Sequence, residues 1–169
     1  DAGTDYSMYF TDYNLFITKL NELTASSNTS SELNQFWNQL VATENFPFII
    51  NSEVAFLYRG NANSIHWAGD FNNSSPNADP GINLGESNIW ILEKVFPSDA
   101  RLSYKIVKNG NEWIADEYNP NPVGEEWGNS QLIMPDYVVP METIYDPTVP
   151  LGNFSDNILI SSTNLGYTS

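Results

Sequence analysis

The feature that most constrains the fold is a series of short segments after residue 53 in which apolar side chains recur at every second position. Val54, Phe56 and Tyr58 share one face of the first segment. A period of two is the period of a β-strand with a buried face. Short strands at this spacing favour a β-sandwich. The strands predicted after the first include residues 65–67, 88–95, 101–108 and 130–134.

Asparagine, glycine and proline separate these segments. Asn109-Gly110 predicts a two-residue β-hairpin, because both residues tolerate a positive φ. Pro120 and Pro122 lack a backbone donor and therefore interrupt regular ladder pairing. We predict a mainly β fold, a sandwich over residues 51–137.

Residues 1–50 have the period of helices instead. Residues 33–41 carry one apolar stripe, preceded by the capping-box spacing of Thr29 and Glu32 and followed by Pro47. We predict an N-terminal helical hairpin that packs on the β-domain, because the hairpin is too short to form a hydrophobic core by itself. A first helix near residues 6–24 is predicted from apolar residues at steps of three and four, namely Tyr9, Phe10, Tyr13, Phe16, Ile17, Leu20 and Leu23.

The last part of the chain, residues 138–169, is rich in proline. The spacing of its prolines, Pro140, Pro147 and Pro150, is typical of a linker. One more strand is predicted over residues 157–162. We interpret this region as a proline-rich linker and the start of a truncated following domain.

The composition excludes several classes of partner. The net charge of −15 repels phosphate backbones and anionic lipid surfaces, so we predict no nucleic-acid binding. No segment approaches the roughly 20 apolar residues of a membrane helix, so we predict no membrane insertion. The chain has no cysteine, which excludes disulfides and thiolate chemistry.

Catalytic and metal-binding motifs are incomplete. Two G-x-S sequences, beginning at Gly85 and Gly128, lack the second glycine of a serine-hydrolase motif, and His66 lies inside a strand. The segment that begins at Asp70 has the spacing of an EF-hand calcium loop but lacks its required glycine and glutamate. It is therefore either a solvated turn or a non-standard calcium site that includes Asp79. Asp116-Glu117 has the pattern of surface charge. We predict no catalytic residue, metal or cofactor.

Four segments carry a family resemblance. They are FLYRG at 56–60, IHWAGDFNN at 65–73, FPSDARLSYK at 96–105 and NGNEW at 109–113. Their order resembles the N-terminal module of enterochelin-esterase-like esterases, which is immunoglobulin-like, of the early-set type, and related to starch-binding-type domains.

The resemblance implies a non-catalytic accessory module of a secreted bacterial esterase. Its partner would be a C-terminal α/β-hydrolase domain of the same parent chain, acting on acyl esters such as siderophore esters or esterified plant polysaccharides. Together with the low lysine content and many asparagines, it also implies a periplasmic or extracellular location, at the cell surface or beyond it.

Glucan-binding relatives also imply a carbohydrate site. By position, their lysine corresponds to Lys105, their second tryptophan to Trp113 and their asparagine to Asn129, whereas Ser74 replaces their first tryptophan. The alternative is that Trp113, like Trp67 and Trp90, is a core or edge aromatic of the sandwich.

Three functions stay open at this point. The first is an esterase accessory module that assists domain packing or substrate access, with a domain interface at Trp127, Asn129 and Met134. The second is a carbohydrate-binding module for a glucan or hemicellulose. The third is a purely structural interaction domain. An exposed Trp113 near Lys105 would favour binding, and an exposed apolar patch would favour packing.

Overall fold

A computed structural model describes residues 3–25, 30–85, 87–123, 128–150, 152–154, 156, 161–162 and 167–168. The chain divides after Val138 into two compact units. The first unit contains two helices and two antiparallel sheets. The predicted fold class, a mainly β sandwich preceded by a helical hairpin, is confirmed.

The first N-terminal helix begins later than predicted. A 3₁₀ turn, Ser7–Phe10, precedes helix α1, Tyr13–Ala25, so the single helix predicted near residues 6–24 is wrong at its start. The reason is a local cap, because the Oδ1 atom of Asp12 accepts a hydrogen bond from the backbone N–H of Leu15 and begins α1 there. Helix α2 spans Ser30–Thr43, and Thr29 of the predicted capping box lies outside the described residues.

Nine strands of the first unit are described. In chain order they are β1 (Phe48–Ile50), β2 (Glu53–Arg59), β3 (Ile65–Gly69), β4 (Ile82–Asn83), β5 (Ile89–Val95), β6 (Arg101–Lys108), β7 (Glu112–Ile114), β8 (Pro122–Val123) and β9 (Asn129–Ile133). The first sheet has the order β1-β2-β5-β4. The second has the order β3-β6-β9-β8, and β7 also pairs with β6.

Strand β2 is buried on both faces, which creates two cores. Val54 and Phe56 face the second sheet and pack in the inner core of the sandwich with Trp67, whereas Ala55 and Leu57 face the opposite way. The outer core lies between the first sheet and the helices, and its helical members include Phe16, Leu20, Phe36 and Leu40. The hairpin of helices thus covers much of one face of the first sheet.

The turn between β6 and β7 is longer than predicted. Asn109 and Gly110 both have positive φ, 53° and 81°, as expected for this pair. Lys108 is paired with Glu112, however, so the connection has three residues and includes Asn111. The extra residue places Trp113 opposite Val107.

In the second unit, Ser161–Ser162 (β10) pairs with Tyr167–Thr168 (β11) in a short antiparallel ladder. Most of the strand predicted over residues 157–162 lies outside the described residues.

Candidate functional site

The candidate site lies on the face of the second sheet that points away from the inner core. Strand β6 pairs with β9 as far as Tyr104 and with β7 from Ile106 onward. Lys105 therefore lies at the junction where one partner strand ends and the other begins. Because side chains alternate along strands, Lys105 points to the opposite face from its buried neighbours Tyr104 and Ile106.

A short turn after β3 forms one wall of the site. The Nδ2 of Asn72 donates to the backbone oxygen of Trp67 (2.8 Å) and to Oδ2 of Asp79 (2.7 Å), while its Oδ1 accepts from the N–H of Gly69 (2.9 Å). Ser74 follows this turn with a φ of 55°. The side chain of Asn72 thus connects the turn to β3 and to Asp79.

Gly69 permits the turn to approach β6 closely. A Cβ at Gly69 would lie 2.4 Å from the backbone oxygen of Ser103, so a larger residue would push the turn away from β6. The Oδ2 of Asp70 accepts a hydrogen bond from the backbone N–H of Ser103 at 2.7 Å, which also holds the turn close to β6.

The structure brings the predicted carbohydrate residues together. Lys105, Trp113 and Asn129 line one shallow cavity of about 80 Å³, and Ser74 lines it too. Trp113 is 42% exposed, so its ring is available to a ligand. Ser74, the residue that replaces a tryptophan in the resemblance, occupies the same cavity wall. Binding of a sugar here stays a prediction.

A buried polar network lies on the inner side of the same sheet. The Oη of Tyr104 donates to Oδ2 of Asp116 (2.7 Å), and the N–H of Asp116 donates to Oγ of Ser130 (2.8 Å). Asn119 donates through Nδ2 to the oxygens of Phe46 (2.8 Å) and Gln131 (2.7 Å). This network connects the 115–121 loop to β6 and β9, next to Asn129.

Asp116 is not the surface charge that its sequence pattern indicated. Its side chain is buried, and burial raises its pKa to about 6 against the hydrogen bonds from Tyr104 and Tyr118. Burial also raises the pKa of Tyr104, with Asp116 acting in the same direction. No local signal could have revealed this, because Tyr104 is distant in sequence and is brought close by sheet pairing.

Two of the three predicted interface residues are described, and they differ in exposure. Met134 is only 1% exposed and packs in the inner core, so its predicted role at a domain interface conflicts with its burial. Trp127 lies outside the described residues. Asn129 is partly exposed, in the cavity with Trp113.

Asp79 was weighed for metal binding and His66 for catalysis. Asp79 forms an ion pair with Lys94 (2.8 Å). His66 lies in β3 opposite Val107. Among the residues that the structure describes, no three His, Cys, Asp or Glu side chains group as a metal site, and no helix is long and apolar enough to cross a membrane.

The tryptophans of the strands divide between core and surface. Trp67 is fully buried in the inner core, in agreement with the core interpretation, and Trp90 is partly buried against it. Trp113 alone of these three is exposed.

No family model and no curated protein matches this chain. Among solved structures, the chain is similar to enterobactin esterase from Shigella flexneri crystallised with 2,3-di-hydroxy-N-benzoyl-glycine, at 14% identity and a TM-score of 0.42, covering 69% of this chain and 38% of that chain. Ferric enterobactin esterase from Salmonella typhimurium is similar at 14% identity and a TM-score of 0.44, over 69% and 39% of the two chains.

An enterochelin esterase from Shigella flexneri is similar at 15% identity and a TM-score of 0.43, over 70% and 39% of the two chains. The matched part therefore spans well under half of each esterase. At these identities and TM-scores, the similarity does not assign a function to the chain.

Proposed function

We propose that this chain is a non-catalytic accessory module of a secreted bacterial esterase, periplasmic or extracellular, that assists domain packing or substrate access for an α/β-hydrolase domain of the same polypeptide. The sequence resemblance over residues 56–113 supports the proposal.

The observation that carries the packing role is an exposed apolar segment. The described residues among 138–154, here called the exit segment, follow the sandwich in sequence. Large exposed apolar patches on soluble proteins mark interaction sites. The exposed apolar side chains of the exit segment are Val138, Val139, Met141, Ile144, Tyr145, Val149 and Phe154.

The packing role predicts that polar substitutions in the exit segment impair the parent enzyme. In the polypeptide that includes the hydrolase domain, we expect Met141→Ser/Ile144→Ser/Tyr145→Ser to lower kcat/KM for a p-nitrophenyl ester about tenfold, equivalent to about 1.4 kcal/mol. We also expect the calorimetric transitions of the two parts to separate, because their contact is weakened.

Glu142→Gln/Asn153→Ala is the matched control, since both side chains are exposed and polar. An unchanged kcat/KM in the serine variant would contradict the packing role. A gene without a hydrolase domain in the same reading frame would overturn the accessory function as a whole.

Carbohydrate binding is a second candidate, favoured by one specific observation. Trp113 is exposed beside Lys105 and Asn129 in one cavity. An aromatic face packs on the C–H surface of a sugar, while ammonium and amide groups reach its hydroxyls. The missing platform at Ser74 makes the predicted affinity weak.

This candidate predicts that Trp113→Ala abolishes retardation in affinity electrophoresis through amylose, glycogen, xylan or arabinoxylan. Loss of one stacking platform is expected to cost about 1–3 kcal/mol, by analogy with bases on aromatic side chains. Trp113→Phe keeps an aromatic face and should retain part of the retardation. Unretarded migration of the unmodified chain in every gel would exclude this candidate and leave the packing role.

A further inference from the structure

A second cavity lies at the end of the first sheet, formed by two loops that are distant in sequence. One loop follows β2 and the other connects β4 to β5, and the backbone N–H of Gly60 joins them by donating to the oxygen of Asn88 (2.8 Å). The open cavity between them has a volume of about 510 Å³. This is within the range of about 300–1,000 Å³ that is usual for small-molecule sites.

The lining of this cavity is neutral and rich in amide groups. We call it the asparagine pocket, after Asn61, Asn63, Asn83 and Asn88, which line it together with Ser87 and Trp90. None of the described residues that line it is charged, although the chain has a net charge of −15. The described residues of these walls offer no charged partner to an ionic ligand, so their chemistry favours a neutral polar ligand.

Both walls of the asparagine pocket are held in place by hydrogen bonds. The Oδ1 of Asn109 accepts from the backbone N–H of Asn63 at 2.7 Å. Across the pocket, the Oγ of Ser87 donates to the oxygen of Leu84 (2.6 Å) and accepts from the N–H of Ile89 (3.1 Å). The walls are therefore preorganised, which lowers the entropic cost of binding.

Several amide groups of the pocket remain available to a ligand. The side chains of Asn61 and Asn63 have no hydrogen-bond partner among the described residues. Asn88 accepts from Nε of Arg59 (3.3 Å), which leaves its NH₂ to donate, and Asn83 donates to the oxygen of Ile89 (3.4 Å), which leaves its carbonyl to accept. The pocket thus offers donors and acceptors together, the combination that hydroxyl groups require.

We propose that the asparagine pocket binds a neutral saccharide, at a site distinct from the Trp113 cavity. The amides pair with the hydroxyls, and the partly buried ring of Trp90 supplies an apolar surface for the C–H face of a sugar ring. The volume of about 510 Å³ lies within the range of small-molecule sites, which is large enough for a short oligosaccharide segment.

The test is a titration of the ¹⁵N-labelled full chain with maltotriose, cellotriose and xylotriose, followed by the side-chain amide signals of asparagine and the indole signals of tryptophan. We expect at least one of these sugars to shift the signals of Asn61, Asn63 and Trp90, with a Kd of about 1–10 mM. Asn61→Ala/Asn63→Ala should raise that Kd at least about fivefold.

Two controls separate this site from general effects. Asn14→Ala/Asn21→Ala removes two exposed asparagines from α1 and should leave the Kd unchanged. Trp113→Ala should leave it unchanged too. Because the side chains of Asn61 and Asn63 have no described partners, their variant should keep the melting temperature of the unmodified chain.

Absence of shifts in the pocket at about 10 mM of each sugar would overturn the proposal. Shifts confined to Trp113 and Asn129 would also overturn it, while supporting carbohydrate binding at the other cavity. Failure of the accessory function in the parent enzyme would not affect this result, because the titration uses this chain alone.

Discussion

Replacing Phe56 by alanine is expected to lower the free energy of unfolding by about 3–5 kcal/mol. Phe56 is fully buried in β2, and its ring lies 5.0 Å from the ring of Tyr104 and 5.5 Å from that of Phe71, measured between centroids. Trp67 and Phe96 are also within ring contact, each at 6.2 Å. Truncation therefore removes contacts on several sides at once and leaves a cavity that few neighbours can fill.

The measurement is chemical denaturation followed by tryptophan fluorescence, together with the melting temperature. For a chain of this size we expect a fall of roughly 6–20 °C. Val95→Ala is the control, since Val95 belongs to the neighbouring strand β5 and is exposed, and its effect should stay within about 0.5 kcal/mol. Similar effects of the two substitutions would contradict a close-packed inner core around Phe56.

The second large effect is a pH dependence of stability that originates at Asp116. Its folded-state pKa is about 6, raised by burial from 3.8, so the folded chain binds the proton more tightly than the unfolded chain. Stability from this group is complete below about pH 4 and is lost as the pH rises through 6. The difference between the two pKa values corresponds to about 3 kcal/mol in the free energy of unfolding.

Asp116→Asn isolates this contribution, because an amide stays neutral over the whole range. We expect the free energy of unfolding of the variant, minus that of the unmodified chain, to increase by about 3 kcal/mol between about pH 4 and pH 7. Urea denaturation at a series of pH values measures it. The control is Glu117→Gln, at the exposed neighbouring carboxylate, which should change the pH profile little.

Parallel pH profiles for the unmodified chain and Asp116→Asn would show that Asp116 keeps an ordinary pKa. That result would mean that the hydrogen bonds from Tyr104 and from the N–H of Tyr118 compensate fully for burial.

Local periodicity predicted most of the architecture. The strand predicted over residues 101–108 coincides with β6, and the one predicted over 88–95 differs from β5 by one residue. Such segments are long and periodic, and their pattern reflects burial directly. The start of α1 was missed because one capping side chain, Asp12, overrides the apolar stripe that continues before it.

The sites were harder to predict because they depend on contacts between distant segments. A family resemblance predicted the candidate residues Lys105, Trp113 and Asn129. They share a cavity because β6 pairs first with β9 and then with β7 along its length. The burial of Asp116 depends on pairing with Tyr104. The asparagine pocket combines residues 60–63 with 83–90, and no pattern within either loop indicates the other.

The double burial of β2 has a consequence for how this protein can change during evolution. Ala55 and Leu57 lie against the helical layer, whereas Val54 and Phe56 lie against the second sheet. None of these four side chains faces solvent, so none of the four positions can readily accept a polar residue. A sandwich without the hairpin would expose the apolar side chains of Ala55 and Leu57. The hairpin and the first sheet must therefore be gained, exchanged or lost as a single heritable piece.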